Sequence, residues 1–470
     1  MLKSINRQNI IPLYMESKVI EKEKHKARRI SIIEGSAASA SGGFGDSFII
    51  PFAQAIGSNA LHIGFLSAFS GLISPISQLF GNKLMEKQPR KKIVRKYVLI
   101  QALLWIPIAV LAILYWQNIL QGYLPWALII LYSCMAITAG LAHPAWFSWM
   151  GDIVQDDKRG KYFSKRNTIS GAVGIVVSII GSIIIDKFEI LGMMFIGFGI
   201  FFLLACAFRL ISFSLFRKQY SPPFKLEKKD EFSFWDFIKR YDNFGKYAVY
   251  RAIFNFAIMI ASPFFGFYLL TELGLDKNLL LFMIISMSSS IFTLLFNPLI
   301  GKLSDKYGNL KLLYLELIFF VLSPVVWLFS KNIIWLILAP GIVAGIANSA
   351  SGIANSNFVY DSVSQAKRGT CVAYTNILVG TGVFVGSIVG GFLLKYLKFN
   401  SFGLDAFLIV FTLAAVARLI VGLIFLPSIK EVKKVSKLHL GMPHMHPIKA
   451  IHHEFQGLGL FIHGKHGHKR

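Results

Sequence analysis

The stretch Gly301–Asn309, which reads GKLSDKYGN, lies between two long apolar runs of the sequence. A short charged segment that closes with a glycine is typical of a turn between two membrane helices on one side of a bilayer. A related segment, NKLMEKQPRKK, occupies residues 82–92, 219 positions earlier. The two segments agree mainly in their charges, and the aligned pairs are Glu86 with Asp305, Lys87 with Lys306, and Pro89 with Gly308.

A second pair of segments repeats more closely. GDIVQDDKRGKYFSKRNTISG at 151–171 and YDSVSQAKRGTCVAYTNILVG at 360–380 align without a gap at an offset of 209 residues. Identical residues recur where each turn leads into the next apolar run: Asp152 with Asp361, Arg159 with Arg368, Gly160 with Gly369, Asn167 with Asn376, and Gly171 with Gly380. These matches predict that the chain is a tandem repeat of two membrane bundles.

The composition supports a membrane protein. The 470 residues are 54% hydrophobic and only 16% charged, against about 25% charged in ordinary globular domains, and the mean hydropathy is +0.58. The three cysteines lie singly inside apolar runs, so neither a disulfide framework nor a cysteine metal site is indicated.

Twelve apolar runs are each long enough to cross a bilayer, which takes about 20 helical residues. We predict helices, because no segment shows the alternating pattern of a β-barrel strand. The predicted fold class is therefore an all-α membrane protein of twelve transmembrane helices, arranged as two six-helix bundles related by pseudo-two-fold symmetry. The predicted spans are 33–57, 61–82, 94–116, 123–150, 167–186, 190–213, 248–270, 278–300, 311–330, 332–357, 373–395 and 404–427.

The distribution of lysine and arginine predicts the orientation. If the N-terminus is inside, 41 of the 49 lysine and arginine residues fall in the two tails and the inner loops, as the positive-inside rule requires. We therefore expect a multi-pass protein of the cell membrane with both termini in the cytoplasm. The net charge of +25 then reflects topology and favours anionic lipid of the inner leaflet, so no nucleic-acid partner is expected.

The same pattern predicts the domain boundaries. Residues 1–32 form a polar tail without the features of a secretory signal, so the first span is expected to serve for targeting. Two six-helix bundles follow at 33–213 and 248–428, and a basic, histidine-rich tail covers 429–470. The linker at 214–247 contains EFSFWDFIKRYDNF, which places Phe232, Trp235, Ile238 and Tyr241 near one helical face. This is typical of a helix in the inner interface, and a linker with some aromatic residues is the alternative.

The duplicated turn after the second and eighth spans resembles the loop signature of the major facilitator superfamily. Gly301, Asp305, Lys306 and Gly308 carry the signature, and the RG turns at Arg159 and Arg368, which follow Asp152 and Asp361, fit the same family. The stretch AWFSWMGDIVQDDKRGKYFSKRN also resembles prokaryotic facilitator-type sequences of unassigned substrate.

The resemblance implies alternating access by two bundles. It also implies that Glu86, Lys87 and Arg90, together with Asp305 and Lys306, form a charge cluster on the inner side that holds the bundles together in the outward-open state. The alternative is that these charges only fix the topology. The chain departs from the family pattern at Asn82 and Pro89, so we expect the first turn to be formed differently. The fifth span lacks the Gly-Pro step of many drug/proton antiporters, and antiport is therefore not supported.

Asp46, in GGFGDSFIIP, is the main candidate for function inside the membrane. An ionisable residue within a span is costly and usually faces a cavity or a partner. The neighbouring glycines allow close packing or local unwinding. We therefore predict that Asp46 binds a proton, a cation or an amine-bearing substrate, with a structural hydrogen bond to a neighbouring helix as the alternative.

Three further ionisable residues are weaker candidates for coupling or substrate binding. Glu34 and Glu316 lie near the inner ends of the first and ninth spans, where they are expected to be solvated or paired with Arg209, Arg251 or Arg418. His143, before Pro144 in the fourth span, is a candidate proton relay or a packing residue.

Polar residues in other spans suggest a substrate cavity. Asn348 and Asn355 are seven residues apart in a small-residue sequence and so share one helical face, which either lines a cavity or packs against another helix. Further candidates for the cavity are Gln54, Trp146 and Asn255, and matching kinks are expected at Pro51 and Pro263. Because no span carries lysine or arginine near its middle, multiply charged anions are disfavoured as substrates.

The histidine-rich tail holds eight of the eleven histidines, which suggests either metal sensing or a flexible basic tail; we predict no metal site. The sequence lacks a nucleotide-binding loop and hydrolase motifs, so we predict neither an enzyme nor a cofactor. The favoured function is a monomeric secondary active transporter that moves a small solute by alternating access and is proton-coupled through Asp46. The alternatives are an uncoupled facilitator and a non-transporting sensor or scaffold.

Overall fold

The computed structural model describes residues 10–155, 159–223, 233–363, 365–397 and 405–432, and all regular secondary structure within them is helical. The histidine-rich tail lies outside the described residues, as do the side chains of Arg159 and Arg368. The helices are α1 (Ile10–Phe44), α2 (Ile49–Ala55), α3 (Ala60–Lys87), α4 (Arg90–Trp116), α5 (Leu124–Ile153), α6 (Arg159–Ile190), α7 (Met194–Lys218), α8 (Phe234–Ile238), α9 (Asn243–Met259), α10 (Phe264–Thr271), α11 (Leu279–Tyr307), α12 (Asn309–Val325), α13 (Ile333–Ser362), α14 (Gln365–Tyr396) and α15 (Ala406–Phe425).

Twelve membrane spans account for all of these helices except α8. Among the described residues, eleven helical segments are long and apolar enough to cross a bilayer on that basis alone. The twelfth is the first span, which is formed by the end of α1, a 3₁₀ turn at Asp46–Phe48, and α2. This span is not one continuous apolar helix, because α1 begins with a polar segment and ends at Phe44, before the span is complete.

The two bundles repeat the same packing. In the first, α1 packs on α6 and α7, α4 on α5 and α7, and α3 on α5. In the second, α9 packs on α14 and α15, α12 on α13 and α15, and α11 on α13. These are the same pairs of spans in each half, so the predicted pseudo-two-fold arrangement of two six-helix bundles is confirmed. Large apolar side chains such as Leu295 and Leu423 are 65% exposed, as expected for faces that contact lipid.

Breaks in the first and seventh spans lie close to the predicted kinks. In the seventh span the helix stops at Met259 and resumes at Phe264, with Pro263 at the N-cap of α10. In the first span the break lies at Gly45–Phe48, ahead of Pro51, which is in the first turn of α2. Pro51 has no backbone N–H to donate, so it favours a new helix start just before it.

The segment between the bundles contains α8, which begins at a Ser233 cap. Phe237 is its buried residue and contacts Tyr374 and Phe244, whereas Trp235 and Tyr241 are exposed. Asp242 then caps α9 by accepting from the Gly245 N–H at 2.8 Å. Burial would raise the pKa of the Asp242 carboxyl, but hydrogen bonds from Arg240 and Gly245 hold the pKa below its usual value.

Both bundles share one orientation. The loops after α3, α5, α11 and α13 lie at one end of the molecule, where Arg28 of α1 donates to the Ile153 carbonyl and Glu431 accepts from the Leu310 N–H, and most of the described lysine and arginine residues lie there. We call this the basic end, and the other the opposite end.

Candidate functional site

The break in the first span contains Asp46, the first residue of the 3₁₀ turn between α1 and α2. The helix stops at Phe44, and a Cβ added to Gly45 would lie 2.3 Å from the Trp105 indole. Only glycine therefore allows the backbone to approach this ring so closely. The next residues form a 3₁₀ turn in which Phe48 is buried against Phe201, while Asp46 points away from the aromatic core.

Asp46 is accessible from a cavity and hydrogen-bonded by a neighbouring helix. The Tyr132 hydroxyl of α5 donates to Asp46 Oδ1 at 3.2 Å. The guanidinium of Arg209 in α7 lies close enough to interact electrostatically with both Asp46 and Glu34. Asp46 itself is exposed to the cavity, so the carboxylate can meet a proton or a solute.

The cavity lies between the two bundles and has a volume of about 770 Å³, within the range of small-molecule sites. Residues of the first bundle form one wall, and residues of α9 to α13 form the other. The lining mixes apolar side chains such as Phe282 and Trp327 with a polar group that includes Asp46, Tyr132, Arg251, Asn255, Asn348 and Ser351.

The structure brings some of the predicted residues together. Asp46, Asn255 and Asn348 line the cavity. The lining does not include the other predicted coupling and cavity residues, which are Glu34, Gln54, His143, Trp146, Glu316 and Asn355.

Glu316 forms an ion pair next to the cavity. Arg251 Nη1 donates to Glu316 Oε1 at 2.6 Å, and Arg251 is one of the three arginines expected as partners. Glu316 is fully buried, whereas the Arg251 side chain remains 13% exposed and lines the cavity. Arg251 lies two turns inside α9, which begins at Asn243, and the cavity reaches it there. A cationic side chain thus lines the cavity although no span carries lysine or arginine near its middle.

Glu34 is buried in a different network, in which Arg166 forms the ion pair and Arg209, one of the expected arginines, lies within electrostatic range. Arg166 Nη2 lies 3.1 Å from Glu34 Oε2, and the Ser212 hydroxyl donates to Oε1 at 2.8 Å. Arg166 also stacks over the Trp146 ring at 4.8 Å. This pairing arises because α6 begins at Arg159, before the predicted start of the fifth span at 167.

The remaining predicted residues occupy other environments. His143 is exposed and stacks on Phe147, with ring centroids 6.2 Å apart. Gln54 is half-buried on α2. Asn355, two turns beyond Asn348, accepts a hydrogen bond from Tyr247 at 2.8 Å and donates to Ser351 at 2.9 Å. Asn355 thus contacts the cavity-lining residue Ser351 without lining the cavity itself.

The loops of the basic end are tied together in the same way in each bundle. Arg90 pairs with Asp152 at 2.6 Å, and Asn309 donates to Asp361 at 2.7 Å. Arg90 and Asn309 are related by the 219-residue offset, and the two aspartates by the 209-residue offset. Each pair connects two loops of one bundle, so these particular bonds lie within the bundles, whereas the expected cluster was to join them.

The two turns of the repeat differ as the sequence predicts. Gly308 has φ +88°, a conformation that favours glycine, whereas Pro89 has φ −59°. Glu86 and Lys87 are exposed at the end of α3. In the other half, the Lys306 ammonium lies over the Tyr307 ring at 4.7 Å, in the last turn of α11. Helix α11 also contains Gly301 and Asp305.

Contacts between the bundles are concentrated towards the opposite end. Asp186 of α6 accepts hydrogen bonds from the backbone N–H groups of Leu279 and Leu280, at 2.8 and 3.1 Å. A side chain of one bundle therefore caps the first turn of α11 in the other bundle. Short helix α2 packs on α10 in the same region.

A close seam joins α3 and α14. A Cβ on Gly64 would lie 2.7 Å from the Ser387 carbonyl, and one on Gly380 would lie 2.9 Å from the Gly71 carbonyl. The two backbones thus approach directly, as small residues permit. A hydrogen bond from Ser387 to Ser67 adds a polar contact at 3.2 Å.

Several residues that line the cavity were not predicted from the sequence. Tyr132 gives no sequence signal beyond being a single phenol in an apolar run. A signal was available in the run SMSSS at 286–290, because four serines among five consecutive residues of a membrane span favour a polar face. These four serines line the cavity.

The chain resembles known proteins in both sequence and structure. The model of the Major Facilitator Superfamily matches residues 35–292 and 248–457. The Vacuolar basic amino acid transporter 1 of Saccharomyces cerevisiae is 30% identical over 153 residues, which are 31% of this chain and 26% of that protein. The class B Tetracycline resistance protein of Escherichia coli is 27% identical over 127 residues, 27% of this chain and 31% of that protein. The chain thus matches about a quarter to a third of the length of these relatives.

Solved structures share the fold over most of the chain. The nucleoside transporter NupG has a TM-score of 0.64 at 15% identity, covering 86% of this chain and 98% of that one. A bacterial homologue of the human lysosomal transporter Spinster, in an inward-facing and unoccupied conformation, has a TM-score of 0.58 at 11% identity, covering 86% and 97%. At these identities the likeness is one of fold.

Proposed function

The chain belongs to the major facilitator superfamily of membrane transporters, and on that premise we propose that it is a secondary active transporter that moves a small solute by alternating access. The coupling ion is a proton, and Asp46 is the residue that binds it. The protein acts as a monomer in the cell membrane, with the basic end and both termini in the cytoplasm.

The observation that carries this proposal is the position of Asp46. A carboxylate in the middle of a membrane span is costly unless it faces a cavity or a partner, and Asp46 has both the cavity and the Tyr132 hydroxyl. The carboxylate lies where the first span is interrupted, beside the interface of the two bundles. A change in its charge therefore bears on how the bundles meet.

Alternating access is supported by the distribution of contacts. Asp186, the α3–α14 seam, and the α2–α10 contact hold the bundles together towards the opposite end. The positive-inside rule places that end outside the cell. The arrangement then corresponds to a state with its outer side closed, and the Asp186 bonds must break when the outer side opens.

The experiment is a solute screen in proteoliposomes with an imposed pH gradient. Asp46→Asn removes the ionisable group and keeps the size of the side chain, while Asp276→Asn makes the same change in a loop at the opposite end. We expect gradient-driven accumulation in the wild type and in Asp276→Asn, and its loss in Asp46→Asn. Equilibration that ignores the gradient would identify an uncoupled facilitator, and accumulation that survives Asp46→Asn would remove Asp46 from the coupling step.

A further inference from the structure

The cavity carries opposite charges on its two walls. Asp46 belongs to the first bundle and Arg251 to the second, and both line the same 770 Å³ space. Among the cavity-lining residues that the structure describes, these are the charged ones. We propose, building on the transport function proposed above, that the substrate is a small zwitterion whose cationic group binds Asp46 and whose anionic group binds Arg251.

Arg251 is positioned to bind an anion. Glu316 is fully buried and holds Nη1 at 2.6 Å, which fixes the direction of the guanidinium. The exposed part of the Arg251 side chain faces the cavity, so N–H groups that Glu316 does not use are available to a solute. A guanidinium offers five N–H donors, and a carboxylate can take two of them in parallel.

Asp46 is the counterpart for a cation. Tyr132 donates to Oδ1, which leaves acceptor capacity on a carboxylate that is open to the cavity. An ammonium group at this position would be bound by a charge-assisted hydrogen bond. A solute with only one charge would form a charge-assisted hydrogen bond with one wall and none with the other, so it would bind less tightly than a zwitterion.

The rest of the lining suggests a zwitterion with an apolar group. Phe265, Phe282 and Trp327 offer aromatic surface, and Met283 and Met287 offer adaptable apolar surface. Serines between them can form hydrogen bonds with peptide-like or hydroxyl groups. Amino acids with apolar side chains and short peptides have this combination of features.

A bridging zwitterion would also explain how binding is linked to movement. Its two charges contact different bundles, so the number of contacts depends on how far apart the bundles stand. A ligand shifts a conformational equilibrium only through such differential contacts. The zwitterion therefore stabilises the state in which the two walls lie at the distance that matches its charges.

The test compares matched solutes on the purified full-length protein in nanodiscs. The probes are leucine and glycyl-leucine, the amide of each, which is only cationic, and the N-acetyl derivative of each, which is only anionic. Titration calorimetry at about pH 6 keeps the amines protonated. We expect the zwitterions to bind at least about 10-fold more tightly than either singly charged derivative, since hydrogen bonds to charged groups are strong.

Variants assign the two charges to the two residues. Asp46→Asn should lower the affinity for the zwitterion to that for the N-acetyl derivative. Arg251→Gln is combined with Glu316→Gln so that no buried carboxylate is left without its partner. This double variant should lower the affinity for the zwitterion to that for the amide. Arg251→Lys should keep a preference for the zwitterion. Arg217→Gln, at the exposed end of α7, should bind as the wild type does.

Two results would overturn the zwitterion class. One is a wild type that binds the amide as tightly as the zwitterion, and the other is an Arg251/Glu316 double variant that keeps the full preference. A further outcome separates the two proposals. If none of these probes binds or is transported, while an uncharged or singly charged solute accumulates in the same proteoliposomes, the zwitterion proposal is rejected and the transport proposal stands. An absence of movement for every solute would reject both.

Discussion

At the scale of single residues, Glu34 depends on donors from two other helices. Arg166 Nη2 lies 3.1 Å away and the Ser212 hydroxyl 2.8 Å away. The side chains of Glu34 and Arg166 are 3% and 13% exposed, so water screens the pair only weakly. When one partner of a buried pair is removed, the other charge stays behind without compensation, and this is more costly than losing both.

We therefore expect Arg166→Met to lower the free energy of unfolding by about 3 kcal/mol. Addition of Glu34→Leu should recover most of that loss, because no buried carboxylate remains. Chemical denaturation in detergent, followed by circular dichroism, measures both values. Lys165→Met, at the exposed neighbouring position, is the control. A double variant as unstable as the single one would show that the pair itself stabilises the bundle.

The charged residues of the site were only partly predictable from the sequence. Asp46 could be found because a carboxylate that follows three nearby glycines in an apolar run contrasts with its surroundings. Arg251 could not, because an arginine near the inner end of a span also fits a residue that fixes topology. Where the cavity reaches depends on how two bundles meet, and local sequence patterns do not encode that.

At the scale of helices, the contact of α6 with α11 is an interaction between a side chain and a helix end. The first N–H groups of a helix have no partner within it, and Asp186 accepts from two of them in α11. The helix dipole also favours a negative charge at this position. The cap exists only while α6 and α11 are adjacent, so it stabilises one arrangement of the bundles over the other.

We expect Asp186→Ala to weaken the closed outer side by about 1 kcal/mol, the usual cost of losing a helix cap. This would shift the equilibrium towards the outward-open state about fivefold. Electron resonance distances between spin labels at Ile190 and Ile334, both exposed at the opposite end, would report the shift. Lys187→Ala changes the adjacent exposed residue and should leave the distances unchanged. Equal distributions for the two variants would contradict a role for the cap.

Helix bounds were predicted well inside the membrane and less well outside it. Hydropathy locates the apolar part of a span, but α6 continues back through KYFSKRN to Arg159 and α14 back to Gln365. Hydropathy does not reveal that these polar turns are helical. The extension of α6 is what brings Arg166 to Glu34.

At the scale of the whole molecule, the repeat preserves packing and varies chemistry. Both bundles use the same pairs of helices, and both tie their basic-end loops at equivalent positions. The tie is an ion pair of Arg90 with Asp152 in one bundle and an amide hydrogen bond of Asn309 with Asp361 in the other. Duplicated positions thus keep the connection while the donor changes.

Because the two ties lie in separate bundles, we expect their contributions to stability to be independent. Asp152→Ala and Asp361→Ala should each lower the free energy of unfolding by about 1–2 kcal/mol, with the charged donor giving the larger loss. The double variant should equal the sum within about 0.5 kcal/mol. Denaturation of the four proteins in the same detergent makes the comparison. A coupling well above that value would mean that the loops of the two bundles interact.

The fold could be predicted almost completely, because two internal repeats at fixed offsets specify two equivalent bundles and hydropathy specifies twelve spans. The site could be predicted only at the positions where one residue contradicts its surroundings. Residues such as Tyr132, whose role arises from a neighbour 86 positions away in the chain, require the assembled structure.

The interruption of the first span at Asp46 also has a consequence for biosynthesis. A carboxylate at the centre of a helix opposes insertion by roughly 2.5–3.5 kcal/mol, and α2 is too short to cross a bilayer alone. The partners that bury this segment, α6 and α7, are synthesised more than a hundred residues later. We therefore expect the first span to leave the insertion machinery late, held there until the ribosome has completed the whole first bundle.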